Sequence, residues 1–156
     1  MRHAKSAWDT SAPGDHERPL NGRGRRDAPR VAKELCRRGW VPELVVASDA
    51  VRARETWQRM SDAFAEVEVR LLRELYLGGL DAVRAALGEV PATTSTVMVV
   101  GHNPGWEELV ERLTQVQVHM TTANAALLRI EAPSWHEAMA MAGSWRLERL
   151  VRPKDL

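Results

Sequence analysis

Thr96-Val97-Met98-Val99-Val100-Gly101-His102-Asn103-Pro104-Gly105 runs from a β-prone segment through a glycine turn toward an apolar helix face. Residues 96–100 are the most β-prone run in the chain, and Gly101 ends it. A helix is expected directly afterwards, because Trp106, Leu109, Val110 and Leu113 recur on one face. The same strand-then-helix order repeats upstream. Residues 44–47 form a short unbroken apolar run suited to a buried strand. Ser48 or Asp49 can cap a following helix that carries Ala53, Trp57, Met60 and Phe64. Residues 67–71 alternate like a strand with one wet face, and residues 80–87 read as a short helix with Asp81 near its start. Further upstream, Ala28, Val31, Ala32, Leu35 and Cys36 define a helix between Asn21 and Gly39, with Pro29 either kinking it or lying in its first turn. Two strands are expected at residues 125–130 and 145–151, joined by a loop around Pro133. Strands alternating with helices call for an α/β fold, a largely parallel sheet covered on both faces, and residues 1–156 read as a single domain.

Composition narrows the partners. Apolar residues make up 44% and charged residues 28%, so the chain can bury an ordinary core and is not disordered. No apolar run reaches the roughly 18 to 20 residues of a membrane helix, and no signal peptide precedes Arg2, so a soluble cytoplasmic protein is expected. A net charge of +1 gives no reason to expect nucleic acid. Cys36 stands alone and can form neither an internal disulfide nor a multi-cysteine zinc site.

In an open α/β sheet, ligands bind beyond the carboxyl ends of the strands. Three segments fit that position: Arg2-His3-Ala4-Lys5, Ser48-Asp49-Ala50-Val51-Arg52, and Gly101-His102-Asn103-Pro104-Gly105. Together they offer two histidines and two arginines. Guanidinium forks match a tetrahedral oxyanion, and phosphate is the commonest such group in cells. A neutral imidazole is a competent nucleophile toward phosphorus near pH 7, and a second histidine can hold the oxygens of the transferring group. No metal or other cofactor is called for by this set.

These residues also carry a resemblance. Arg2-His3, the stretch SDAVRARETW beginning at Ser48, and VVGHNPG beginning at Val99 resemble the histidine phosphatase superfamily. Within it, RHAKS at residues 2–6, DHERPL at 15–20 and GRRDAPR at 24–30 are most similar to the SixA-type phosphohistidine phosphatases. Thr122-Ala123 and the closing RPKDL extend the likeness over nearly the whole chain. The resemblance implies a three-layer α/β/α sandwich around a mostly parallel mixed sheet, as in phosphoglycerate mutase-like folds. It implies an apolar strand immediately before Arg-His, of which only Met1 is present, so the first strand is expected to be truncated.

For the site, the resemblance implies that His3 becomes transiently phosphorylated, that Arg2 and Arg52 hold phosphate, and that His102 stands beside the phosphoryl group. Asn103 and Ser48 lie next to these motifs and can add hydrogen bonds. Arg54 lies about 200° round its helix from Arg52 and cannot share its direction. The activity implied is that of a metal-independent phosphohydrolase acting on protein phosphohistidine. The alternatives are a small-molecule phosphomonoesterase acting on a phosphorylated metabolite, or a non-catalytic phosphate-binding module should the first strand be absent. Glu74 is the nearest candidate for a carboxylate general acid, in a setting unlike the one larger members use. His3 must be neutral to attack while His102 does better charged, so their protonation demands are opposed. His16, His119 and His136 read as structural or solvated, Arg23, Arg25 and Arg26 as a solvated face, Cys36 as an inert buried thiol, and Trp8 as a possible lining of the pocket mouth.

Overall fold

The computed structural model describes residues 1–156. Helix α1 (Gly22–Arg37) starts where the Asn21 side chain accepts a hydrogen bond from the Gly24 amide at 2.9 Å. Pro29 lies in its interior, not its first turn. The carbonyl it leaves unpaired belongs to Arg25, which is exposed and so open to water, and the helix runs on through it. Strand β1 (Leu44–Ser48) is buried along its whole length, which is why its sequence is a continuous apolar run. Helix α2 (Val51–Met60) follows after a turn at Asp49 and Ala50. Neither Ser48 nor Asp49 caps it: Ala50 is the cap residue, and Ser48 Oγ accepts from the Ala50 amide instead, closing the turn one residue earlier.

Strand β2 (Glu68–Leu72), helix α3 (Leu80–Gly88), strand β3 (Val97–Val100) and helix α4 (Gly105–Thr114) complete the β-α alternation. Strands β4 (Ala125–Arg129) and β5 (Arg146–Val151) close the chain. The segment between them is not only a loop. Helix α5 (Trp135–Ala140) forms there, capped by Ser134, whose Oγ accepts from the Glu137 amide at 3.2 Å. The Ser-x-x-Glu spacing carries that start signal.

The sheet is built in two parts. One is parallel, in the order β2-β1-β3, and the other is the antiparallel pair β4-β5. The side chains of Val45 and Ala47 pack with α1 and α2 on one face, while Leu44 and Val46 pack with α3, α4 and α5 on the other. Alternation along a single strand thus fills two cores, and the result is a three-layer α/β/α sandwich.

Residues 1–3 join the two parts. The His3 amide donates to Gly101 O at 3.0 Å and the Gly101 amide to Met1 O at 3.1 Å, which continues the parallel ladder beside β3. On the other side the Arg2 amide donates to Asn124 O, and the Ala123 amide to His3 O, both at 3.0 Å. These three residues stand where the resemblance implies the end of a strand. Below them β3 and β4 are unpaired with each other, and a largely apolar cavity of about 570 Å³ opens there, lined by Met1, Met98, Val99, Ala126, Leu128 and Trp106 among others. The Met1 amine faces Val99 O at 2.6 Å, and burial lowers its pKa from 8.0 to about 5.

The cavity gives a prediction. Fusing five apolar β-branched residues ahead of Met1 supplies side chains to it. We expect the melting temperature at pH 7 to rise by about 5 °C or more, since each kcal/mol is worth roughly 2 to 4 °C in a domain of this size. A Gly-Ser segment of the same length should give no such rise. Equal melting temperatures for the two fusions would show that the cavity does not accept a strand.

Candidate active site

The three segments expected to meet do meet. His3 leaves the strand-like stub, Arg52 enters from the first turn of α2, and His102 follows β3. The His3 and His102 rings lie 5.0 Å apart between centroids, inclined at 51°. Gly101 is required beside them, because a Cβ there would lie 2.2 Å from the indole of Trp106. That close approach lets the buried Trp106 pack under the His102 turn.

His3 is held in one tautomer. Its Nδ1 lies 2.7 Å from Ala4 O, a carbonyl that can only accept, so Nδ1 carries the proton and Nε2 keeps its lone pair. Arg52 Nε donates to that Nε2 at 3.3 Å. Burial lowers the His3 pKa from 6.5 to about 3, with His102, Arg52 and Arg2 adding to the effect against the Ala4 hydrogen bond. Burial, then Arg52, lowers His102 from 6.5 to about 4, with Asp15 opposing. In the protein alone, then, both rings are neutral near pH 7. A charged His102 requires an anion to put the proton there.

Arg52 is nearly fully buried, and its guanidinium is anchored from behind. Nη1 donates to Asp15 O at 2.6 Å and Nη2 to Asp15 Oδ2 at 2.9 Å. Both terminal nitrogens keep one further N–H. Asp15 in turn accepts from Tyr76 Oη at 2.7 Å and from Arg18 Nε and Nη2. The Tyr76 hydrogen bond leads, followed by Arg18 and Arg52, in holding the Asp15 carboxyl well below the usual carboxylate range, against burial. Asp15 is therefore ionised at any working pH and has no proton to give. Tyr76, raised in turn by Asp15, stands edge-on to His102 at 5.4 Å.

Arg2 is positioned by its backbone in the ladder and by Nη1 donating to Met120 O at 2.8 Å. Burial lowers its pKa, while Glu107 opposes. Asn103 Nδ2 donates to the same carbonyl at 2.9 Å, and the Met120 amide is fixed by Glu107 Oε1 at 2.7 Å. Arg2 Nε and both ring nitrogens of His102 are buried without a protein partner. Groups that polar are normally satisfied, so these are open to a ligand.

Other expectations fare unevenly. Arg54 is exposed and Arg52 buried, as their angular separation requires. Glu74 is exposed in the 3-10 turn Arg73–Leu75, and it is Tyr76, two residues on, that enters the site. Trp8 is 72% exposed and covered on one face by the Arg18 guanidinium at 3.7 Å. His16 bonds Asp49 Oδ1 at 2.7 Å at the rim. Cys36 is half-buried and donates to Ala63 O. Asp15 and Tyr76 were not assigned from sequence. The only pointer to either was the Asp of DHERPL, a polar residue in a loop with no helical or strand period.

A central parallel sheet, phosphate-sized polar groups at its carboxyl edge and a histidine pair define the class: an α/β phosphatase. The chain belongs to the histidine phosphatase superfamily (branch 1), whose model matches residues 1–130. It is 40% identical to an uncharacterised chloroplastic protein of Arabidopsis thaliana, over 98% of this chain and 76% of that one. Among solved structures it is similar to one described as a phosphohistidine phosphatase SixA from Nakamurella multipartitia, at 31% identity and a TM-score of 0.84, covering 98% of this chain and 93% of that one. A second, described in the same terms from Agrobacterium tumefaciens, has 26% identity and a TM-score of 0.80, covering 98% and 95%. No helix is long and apolar enough to cross a membrane.

Two predictions follow from the geometry. Arg52→Lys keeps a charge but loses the fork and should cost roughly 2 to 4 kcal/mol of transition-state stabilisation, about 30-fold to 1000-fold in rate. Arg54→Lys should change turnover by less than about threefold. Turnover of both on one phosphorylated substrate, with folding checked by circular dichroism, compares them; greater damage from Arg54→Lys would put the pocket elsewhere. The second prediction concerns protons. Sulfate is a dianion that does not titrate near neutrality, and its binding should raise His102 from its depressed value. Binding at pH 5.5 should therefore take up protons, seen by calorimetry in two buffers of different ionisation heat. Buffer-independent heats would contradict the neutral state of His102.

Proposed function

We propose that this phosphatase transfers a phosphoryl group to Nε2 of His3 and hydrolyses the phosphohistidine so formed, and that its substrate is phosphohistidine on a protein. The observation that carries the reading is the His3 tautomer: a lone pair on Nε2, fixed by Nδ1–H to Ala4 O, beside the buried guanidinium of Arg52. In the first step Nε2 bonds to phosphorus and the bond to the leaving group breaks. Arg2, Arg52 and His102 surround the phosphoryl oxygens, where their charge and hydrogen bonds count most. Nδ1 keeps its proton, so the phosphorylated ring is cationic and Ala4 O stabilises it. In the second step water attacks phosphorus, the P–Nε2 bond breaks, and neutral His3 is released as the water proton passes to phosphate or solvent.

Substrate class follows from the acid. Asp15, the carboxylate that contacts Arg52 in the pocket, is ionised and offers no proton to an alkoxide leaving group. A phosphohistidine whose distal ring nitrogen is protonated leaves as neutral imidazole and needs none. The two SixA-described relatives above support the same class.

The test is a rapid quench with a ³²P-labelled phosphohistidine peptide, looking for acid-labile, base-stable label on the enzyme. His3→Ala should abolish the label and reduce turnover by roughly 1000-fold or more. Full turnover by His3→Ala would remove the mechanism. Sugar phosphates hydrolysed faster than the peptide would leave the mechanism and replace the substrate, making the protein a small-molecule phosphomonoesterase. Tight phosphate binding with no turnover of either would make it a binding module.

A further inference from the structure

Helix α1 presents a row of five cations, two of which pair with nothing in the protein. Arg23, Arg26, Arg30, Lys33 and Arg37 recur at steps of three and four, which puts them in one stripe. All five are exposed, while Ala28, Val31, Ala32 and Leu35 occupy the buried face about 160° away. Like charges at this spacing destabilise a helix. Only two carboxylates of the helix answer them. Asp27 lies 3.2 Å from Arg23 and 3.6 Å from Arg30, and Glu34 lies 2.8 Å from Arg37. Arg26 and Lys33 have no ion pair. A groove of about 450 Å³ flanks the stripe and adds Arg38, Arg149 and Arg152, against Glu34 and Asp155. The whole chain carries a net charge of only +1, so positive charge is concentrated here and the remainder is net acidic.

The first turn of the helix that bears the stripe packs against the active-site segment. The Asn21 amide donates to Lys5 O at 2.9 Å, and Gly24 is so close to the Lys5 backbone that a Cβ would lie 2.2 Å from Lys5 O. The first turn of α1 is therefore locked onto the residue two beyond His3. From there the 16-residue helix carries the cations about 24 Å along the flank of the molecule.

We propose that this face of α1 is the docking surface for an acidic protein carrying the phosphohistidine, a step that rests on the reading of the site given above. A partner whose phosphohistidine reaches His3 sits beside the first turn of α1, and an acidic surface there offsets the repulsion within the stripe. The apolar side of α1 is buried in the core, so the helix has no face to insert into a lipid surface.

The experiment uses two synthetic phosphohistidine peptides, one flanked by five Glu and one by five Gln, with phosphoramidate as a small substrate that reaches only the pocket. The variants are Arg26→Glu and Lys33→Glu, singly and together, chosen because neither residue pairs within the protein. The wild type should favour the Glu peptide, and 0.3 M NaCl should erase the preference. The double variant should lose about tenfold in kcat/KM for the Glu peptide, mostly through KM. Phosphoramidate turnover should stay within twofold, which shows that the pocket and the fold are intact. Equal use of the two peptides, or an equal loss on phosphoramidate, would overturn the docking surface while leaving the phosphatase reading standing. RNA competing with the Glu peptide more strongly than free poly-Glu does would assign the stripe to nucleic acid and overturn it too. Failure of the wild type on phosphoramidate and on both peptides would instead sink the phosphohistidine reading beneath it.

Discussion

The molecule depends on the hydrogen bonds that hold residues 1–3 between β3 and the turn before β4. His3 N–H to Gly101 O ties the stub to the parallel half of the sheet, and Ala123 N–H to His3 O ties it to the antiparallel half. Those contacts do two things at once. They make one sheet of two pieces, and they fix the Cα of His3 level with the Gly101-His102 turn, so that the two imidazoles face each other.

Much of this was legible because the central strands read as apolar runs. Residues 44–47 and 96–100 predict β1 and β3 to within a residue, since four consecutive apolar side chains bounded by turn residues suit a strand with a core on each face. His102 and Arg52 were legible for a related reason, since one follows β3 and the other stands in the first turn of α2, whereas Arg2 and His3, with only Met1 before them, were legible through the family resemblance. Helix α5 was not legible by periodicity, being six residues long and next to Pro133, too short for a 3.6-residue repeat to declare itself. Only its Ser134 cap marked it.

Asp15 and Tyr76 were hidden for a different physical reason. Neither lies in a periodic segment, and their meeting over 61 residues of chain depends on the loop before Leu20 folding back across the start of α2. The Val51 amide donating to His16 O, and Arg52 Nη1 donating to Asp15 O, make that fold-back. No local propensity encodes such a contact. The charge row on α1 was legible as residues but not as a surface, since its meaning lies in the contact between Gly24 and Lys5 that places its first turn at the site.

The arrangement around Arg52 ties these observations into one electrostatic argument. Two permanent cations and two imidazoles in a buried pocket repel one another, and the protein relieves this in two ways. Burial strips the histidines of their protons, and the neighbouring cations add to the effect. The protein also sets one carboxylate behind Arg52, where Asp15 neutralises charge without entering the space between the histidines. A carboxylate in that place must remain ionised to serve, and the hydrogen bonds from Tyr76, Arg18 and Arg52 ensure that it does. The same bonds remove it as a proton source. The proposed preference for a leaving group that departs without an acid is thus a consequence of how the pocket holds Arg52. A residue that restored the acid in that position would leave the buried guanidinium without its counter-charge and its anchor.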